Sequence, residues 1–191
     1  MRWPALYARS RQVPVSAAAL TVVALVVWAL GRAGGESPMG LGIALPVLTA
    51  NVAAASAGLG GQDAALDRTA ALRWAPRRAA HVLLIGAAAG AALLAVQALG
   101  ARFVPAEVVV RDSAGLVGLA ALGAALCGAQ YAWTLPAGWL GFTLLAPPPG
   151  GTAGEVLHWM AFPPGTAVST VTALALLAAG TAVYAVAGPR G

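Results

Sequence analysis

The sequence predicts an all-α polytopic membrane protein, and three observations carry that reading. Of the 191 residues, 60% are hydrophobic and only 9% are charged, where a soluble domain has about 25% charged residues. A chain of this size could bury a core, but it cannot hide that much apolar surface from water, so the bilayer is its solvent. The polar residues also fall in short groups that divide the chain into six apolar stretches, and the arginines gather on alternate sides of those stretches. The whole chain, residues 1–191, reads as one transmembrane domain of about six helices.

Met1–Gln12 carries Arg2, Arg9 and Arg11 beside Trp3, Leu6 and Tyr7. Arginine next to aromatic rings is an interfacial composition, and it predicts a short amphipathic helix on the cytoplasmic surface. Pro14–Gly31 is the first span. It exceeds the roughly 7–15 apolar residues of a signal-peptide core, so it is expected to stay in the membrane. After a short loop, Arg32–Pro38, the second span covers Met39–Ala57. Pro46 inside it removes a backbone hydrogen bond and predicts a kink. Asn51 lies just beyond and is expected to face other helices. Together they are candidates for a pathway or for packing.

Gly58–His81 is the longest polar interruption, and the functional reading centres on it. It holds Asp63, Asp67, Arg68, Arg73, Arg77 and Arg78, six of the seventeen formal charges. Ala64, Ala65, Leu66, Ala70, Ala71 and Leu72 are good helix formers, and Asp63 can act as N-cap. The expected helix is Asp63–Trp74, ended by Ala75-Pro76 because the residue before a proline is pushed out of the α region. Arg77 and Arg78 would then stand at the membrane surface.

The third span is Ala79–Gly100, with His81 at its cytoplasmic end as an interfacial residue. Gly86 and Gly90 make a small-xxx-small pattern for close helix packing. Ala101–Asp112 reads as a loop containing Arg102, Glu107 and Arg111, with Asp112 or Ser113 capping a fourth span that runs to about Gln130. Gly115, Gly118, Gly123 and Gly128 make that span a close-packing helix. Cys127 reads as a small buried residue that can form no intrachain disulfide. Tyr131–Ala146 is apolar but short of the roughly 20 residues of a full span, and Pro136 interrupts it. It is taken as a fifth span beginning around Ala129, with a re-entrant piece as the alternative. In Pro147–Gly165, turn residues flank an amphipathic centre, Val156 to Phe162, expected to lie in the interface or dip into it. Glu155 and His158 share a face if that centre is helical, which makes them a candidate outer-face pair. Thr166–Ala187 is the last span.

Six spans place both termini on one side. With that side cytoplasmic, Arg2, Arg9, Arg11, Arg68, Arg73, Arg77, Arg78 and Arg190 are inside, against Arg32, Arg102 and Arg111 outside. The positive-inside bias therefore puts the 58–81 loop in the cytoplasm. The formal charge of +5 does not imply nucleic acid, because the arginines flank apolar segments and form no single patch.

Much catalytic chemistry is missing. With no lysine there is no standard phosphate-binding loop. There is no metal-spaced Cys/His cluster and no nucleophile elbow. No charged residue falls in the middle of an expected span, so a relay of buried carboxylates has no members. The chain is expected to be neither an enzyme by itself nor a metal or cofactor protein.

With this topology laid out, the chain resembles the membrane subunits of ATP-binding-cassette exporters of the second type, particularly small permeases of actinobacteria. The resemblance rests on the basic N-terminal stretch, the six spans, the segment DAALDRTAALRWAPRRAAH at 63–81, and a short hairpin-like insertion around Gly154–Phe162. Only the 63–81 segment matches at residue level, where it looks like that family's coupling helix. The resemblance implies a bacterial plasma-membrane permease that pairs with a second permease and docks a separate ATPase subunit, which would hold the ATP and magnesium. It implies that Asp63, Asp67, Arg68, Arg73 and Trp74 contact the ATPase, and that Arg77 and Arg78 hold the loop to anionic headgroups. The implied cargo is apolar or amphipathic. Two other readings stand beside it: a non-transporting subunit that anchors a larger complex, and a membrane-embedded enzyme using Glu155 and His158.

Overall fold

Among the residues described in the computed structural model (18, 21–26, 28–29, 40–60, 74–100 and 104–189) there is no strand. Four helical segments are long and apolar enough to cross a bilayer: Leu41–Leu59, Trp74–Ala98, Ala106–Cys127 and Ala167–Ala187. A helix satisfies its own backbone polar groups, which is the condition for crossing lipid. In chain order the helices are α1 (Leu41–Ser56), α2 (Trp74–Ala98), α3 (Ala106–Cys127), α4 (Thr134–Leu145), α5 (Gly151–Leu157) and α6 (Ala167–Ala187). Single 3-10 turns follow α1 at Ala57–Leu59, α3 at Ala129–Tyr131 and α5 at Trp159–Ala161. Residues 21–26 and 28–29 of the first expected span are helical, and Val23, Ala24 and Trp28 pack against the core.

The centre of the bundle is α3. Of its most apolar stretch 83% is buried inside the protein, against 22% for α6, whose other faces are left to lipid. Burying an alkyl group against protein gains little over burying it in lipid, so helices in a bilayer associate through close packing and polar contacts. The α3–α6 pair shows the consequence. A side-chain carbon added at Gly118 would strike the Leu176 carbonyl oxygen, and one added at Gly180 would strike the Gly118 carbonyl oxygen. The two backbones touch there, and only glycine allows it. Gly86 and Gly90 of α2 serve packing within the chain, since they face Val117 and Ser113 of α3.

These contacts fix the directions. Gly86 meets Val117 and Gly90 meets Ser113, so α2 and α3 are antiparallel. Val110 and Thr170 line one groove while Gly118 meets Leu176, so α3 and α6 are parallel. The chain between them must therefore return across the bundle. It does so in pieces, α4, α5 and two 3-10 turns, where the sequence suggests one fifth span from around Ala129. Gly128, at φ 105°, ends α3 before the expected Gln130. At about 1.5 Å per residue the twelve residues of α4 cover roughly 18 Å of an apolar layer about 30 Å thick.

Two other boundaries and one residue's burial differ from the sequence reading. The helix α2 covers Trp74–Ala98, so 74–78 belong to this helix, where the sequence reading breaks the chain at Ala75-Pro76 and starts the span at Ala79. Pro76 is its third residue, in the first turn, where a missing N–H breaks no hydrogen bond. The helix α3 begins at Ala106 with Pro105 as N-cap, so 106–112 is helix and neither Asp112 nor Ser113 caps it. Cys127 is exposed at the end of α3, not buried. The expected N-terminal helix with Arg2, Arg9 and Arg11 lies outside the described residues.

Candidate functional site

Of the residues singled out for the coupling loop, Asp63, Asp67, Arg68 and Arg73 lie outside the described residues. The structure describes the two roots of that loop. On the incoming side, the 3-10 turn after α1 ends at Leu59, which is fully buried. A helix end leaves carbonyls without intrahelical partners. Here two successive carbonyls are taken by side chains of other helices. His81 of α2 bonds the Gly58 oxygen through Nε2 at 2.9 Å, and Tyr184 of α6 donates its hydroxyl to the Leu59 oxygen at 2.6 Å. A carbonyl only accepts, so His81 Nε2 carries a proton here.

On the returning side, the Arg77 guanidinium sits 5.8 Å from the centre of the Trp74 ring, within cation–π range. The Arg78 guanidinium packs against Gly188 just past the end of α6. A cation suits the negative end of a helix dipole. Arg78 is thus tied to α6, and not solely aimed at lipid. The loop leaves and returns at one end of the bundle, and that end is built from α1, α2 and α6 together.

The opposite end carries a second constellation. Arg111 and Asp112 sit one turn into α3, and they are 7% and 0% exposed. The sequence reading places Arg111 in a loop, and that point is corrected here: it lies in the helix, near its start. Burial is tolerable because the charges are paired: Arg111 Nε donates to Asp112 Oδ1 at 2.8 Å. The rest of the guanidinium points at the end of the returning hairpin. Nη1 donates to the Pro163 oxygen at 3.2 Å, and Nη2 to the Phe162 and Met160 oxygens at 3.0 and 3.4 Å. One arginine therefore latches three carbonyls of a non-helical segment.

The tip of the hairpin packs into the bundle. Trp159 and Met160 are fully buried, and the Trp159 ring fills the space a side chain at Gly115 would need. Trp139 of α4 donates its indole N–H to the Leu157 oxygen at 3.0 Å, and the Ser169 hydroxyl bonds the Glu155 oxygen at 3.3 Å. Glu155 and His158 share no hydrogen bond. His158 is buried, packs on Phe142 with ring centres 5.2 Å apart, and has no partner for Nε2 among the described residues.

Pro46 lies inside α1, and Asn51 is buried at 1% exposure with its Oδ1 unpartnered among the described residues. Neither lines the 560 Å³ groove between α3 and α6 or the 420 Å³ groove beside Trp28. No group of His, Cys, Asp and Glu among the described residues is arranged to hold a metal ion.

Sequence reasoning did not find Tyr184, Arg111 or Asp112. A tyrosine near a span end reads as an interfacial anchor. The adjacent Arg-Asp pair was the available signal, since opposite neighbours can enter an apolar layer as a neutral unit.

No protein-family model matches the chain, and no curated protein or solved structure matches it.

Proposed function

We propose that this chain is the permease subunit of an ATP-driven exporter in the bacterial plasma membrane, with the 61–73 loop as the docking element for a separate ATPase subunit. One observation carries the reading. A charged, helix-prone loop springs from two roots that are fastened to three spanning helices at one end of the bundle. A solvated surface loop needs no such fastening, whereas a lever does. In the sequence of the loop, Asp63, Asp67, Arg68 and Arg73 supply charges of both signs for a protein partner. ATP and magnesium belong to that partner. The permease pairs with a second copy or a relative, and the cargo is apolar or amphipathic. A second reading, a non-transporting anchor subunit, is favoured by the lining of the 560 Å³ and 420 Å³ grooves, which is almost wholly apolar and, among the described residues, includes neither Pro46 nor Asn51.

Affinity purification of the tagged chain from its native membranes tests this. A nucleotide-binding subunit is expected to co-purify, and Arg68→Glu with Arg73→Glu is expected to reduce its recovery roughly tenfold, as like-charge contacts costing over about 1.4 kcal/mol would. Melting of the permease should stay unchanged. Absence of any nucleotide-binding protein from the wild-type preparation overturns the proposal. A retained ATPase-free complex supports the anchor.

A further inference from the structure

We infer that Tyr184 is a positioning residue that makes α6 follow the 61–73 loop, with His81 holding the preceding carbonyl beside it. The inference rests on the docking function proposed above and names the route by which a docked ATPase would move a helix remote from the loop in sequence.

Covalently, a load on the loop passes only to α1 and α2. The helix α6 lies more than a hundred residues further on. Yet the last carbonyl of the 3-10 turn, Leu59 O, is bound by Tyr184 of α6, and the one before it, Gly58 O, by His81 of α2. Any local donor could have capped this helix end. The two bonds instead come from two different helices, 23 and 125 residues away. The Tyr184 bond is short, and both Tyr184 and Leu59 are buried, at 1% and 0% exposure, where a hydrogen bond is stronger than in water. Arg78 against Gly188 ties the returning root to the same end of α6. The contact at Gly118 and Gly180 then makes α6 and the central α3 move as a pair. A displacement at the incoming root therefore reaches α6 directly through the Tyr184 hydroxyl, beside the packing of α1 and α2 on the bundle.

The test is hydrogen exchange of the complete complex, permease with its ATPase subunit in lipid nanodiscs, with and without ATP and vanadate. In the wild type, nucleotide trapping is expected to change deuterium uptake both in 61–73 and in the last two turns of α6. Tyr184→Phe removes only the hydroxyl. It is expected to keep the loop response and to lose roughly half or more of the α6 response, because local opening there is no longer coupled to the loop. His81→Gln, which keeps an N–H donor, should behave as wild type, and His81→Ala should not. Where Tyr184→Phe lowers recovery of the complex, Tyr184→p-aminophenylalanine, which keeps a ring donor at the same place, should restore the α6 response. A full α6 response in Tyr184→Phe, or none in Tyr184→p-aminophenylalanine, overturns the inference while leaving the docking function standing. A wild-type chain that binds no ATPase overturns both.

Discussion

Replacing Arg111 with alanine is expected to lower the melting temperature of the solubilised protein by about 6–20 °C, from a loss of about 3–5 kcal/mol for a broken buried ion pair. Two costs combine. Asp112, fully buried, loses its counterion and must either stay charged without one or take up a proton, and the carbonyls of residues 160, 162 and 163 lose their donor. The double variant Arg111→Ala/Asp112→Ala should recover part of the loss, since it removes the stranded carboxylate and leaves only the unpaired carbonyls. Arg111→Lys should recover little, because one ammonium cannot span the same set of acceptors in a fixed fork. Melting curves followed by size-exclusion chromatography separate the outcomes. A single variant no less stable than the double would show that the charge pair contributes nothing beyond its parts.

The second large effect is expected at the crossing of α3 and α6. Gly180→Ala adds one carbon where the Gly118 carbonyl already stands, and a backbone atom cannot swing aside as a side chain would. Overpacking of this sort costs about 1–3 kcal/mol, and occasionally more. The same substitution at Gly141 of α4 meets nothing within 4 Å and should gain about 0.5–1 kcal/mol from helix propensity. The two changes are chemically identical, so opposite shifts in melting temperature isolate the contact. Equal shifts would mean that the helices are free to part at this point.

Much of this architecture is legible in the order of residues. Runs of Ala, Leu and Val between arginine-bearing breaks set the second, third and last spans within a few residues of α1, α2 and α6. Asn51 and the Gly86–Gly90 pair could be assigned to protein-facing surfaces because lipid tolerates neither a stray amide nor a gap. The stretch 101–112 misled because charged residues read as loop when each is weighed alone. Arg111 becomes helical and buried only when its partners in 160–163 are known, and those lie about fifty residues away. The broken return through α4 and α5 was open in the sequence for the same reason: whether a short apolar piece spans depends on what its neighbours cap. Tyr184 carries no local sign of its bond to Leu59. Long-range hydrogen bonds are written in three dimensions, while periodicity and composition report only on the nearest turns.

The parallel run of α3 and α6 has a consequence for biogenesis. Each of the four long helices is long and apolar enough to cross a bilayer on its own, whereas no helix between 128 and 163 is long enough to do so. Arg111 is already in place when this stretch emerges, but its other partner, Ser169 of α6, is not, so the stretch settles only once α6 has been synthesised. Assembly of this protein is therefore expected to finish from the middle, with the last-docked segment lying between helices already inserted, and a ribosome-stalled chain ending before residue 167 should remain open to added protease within that stretch.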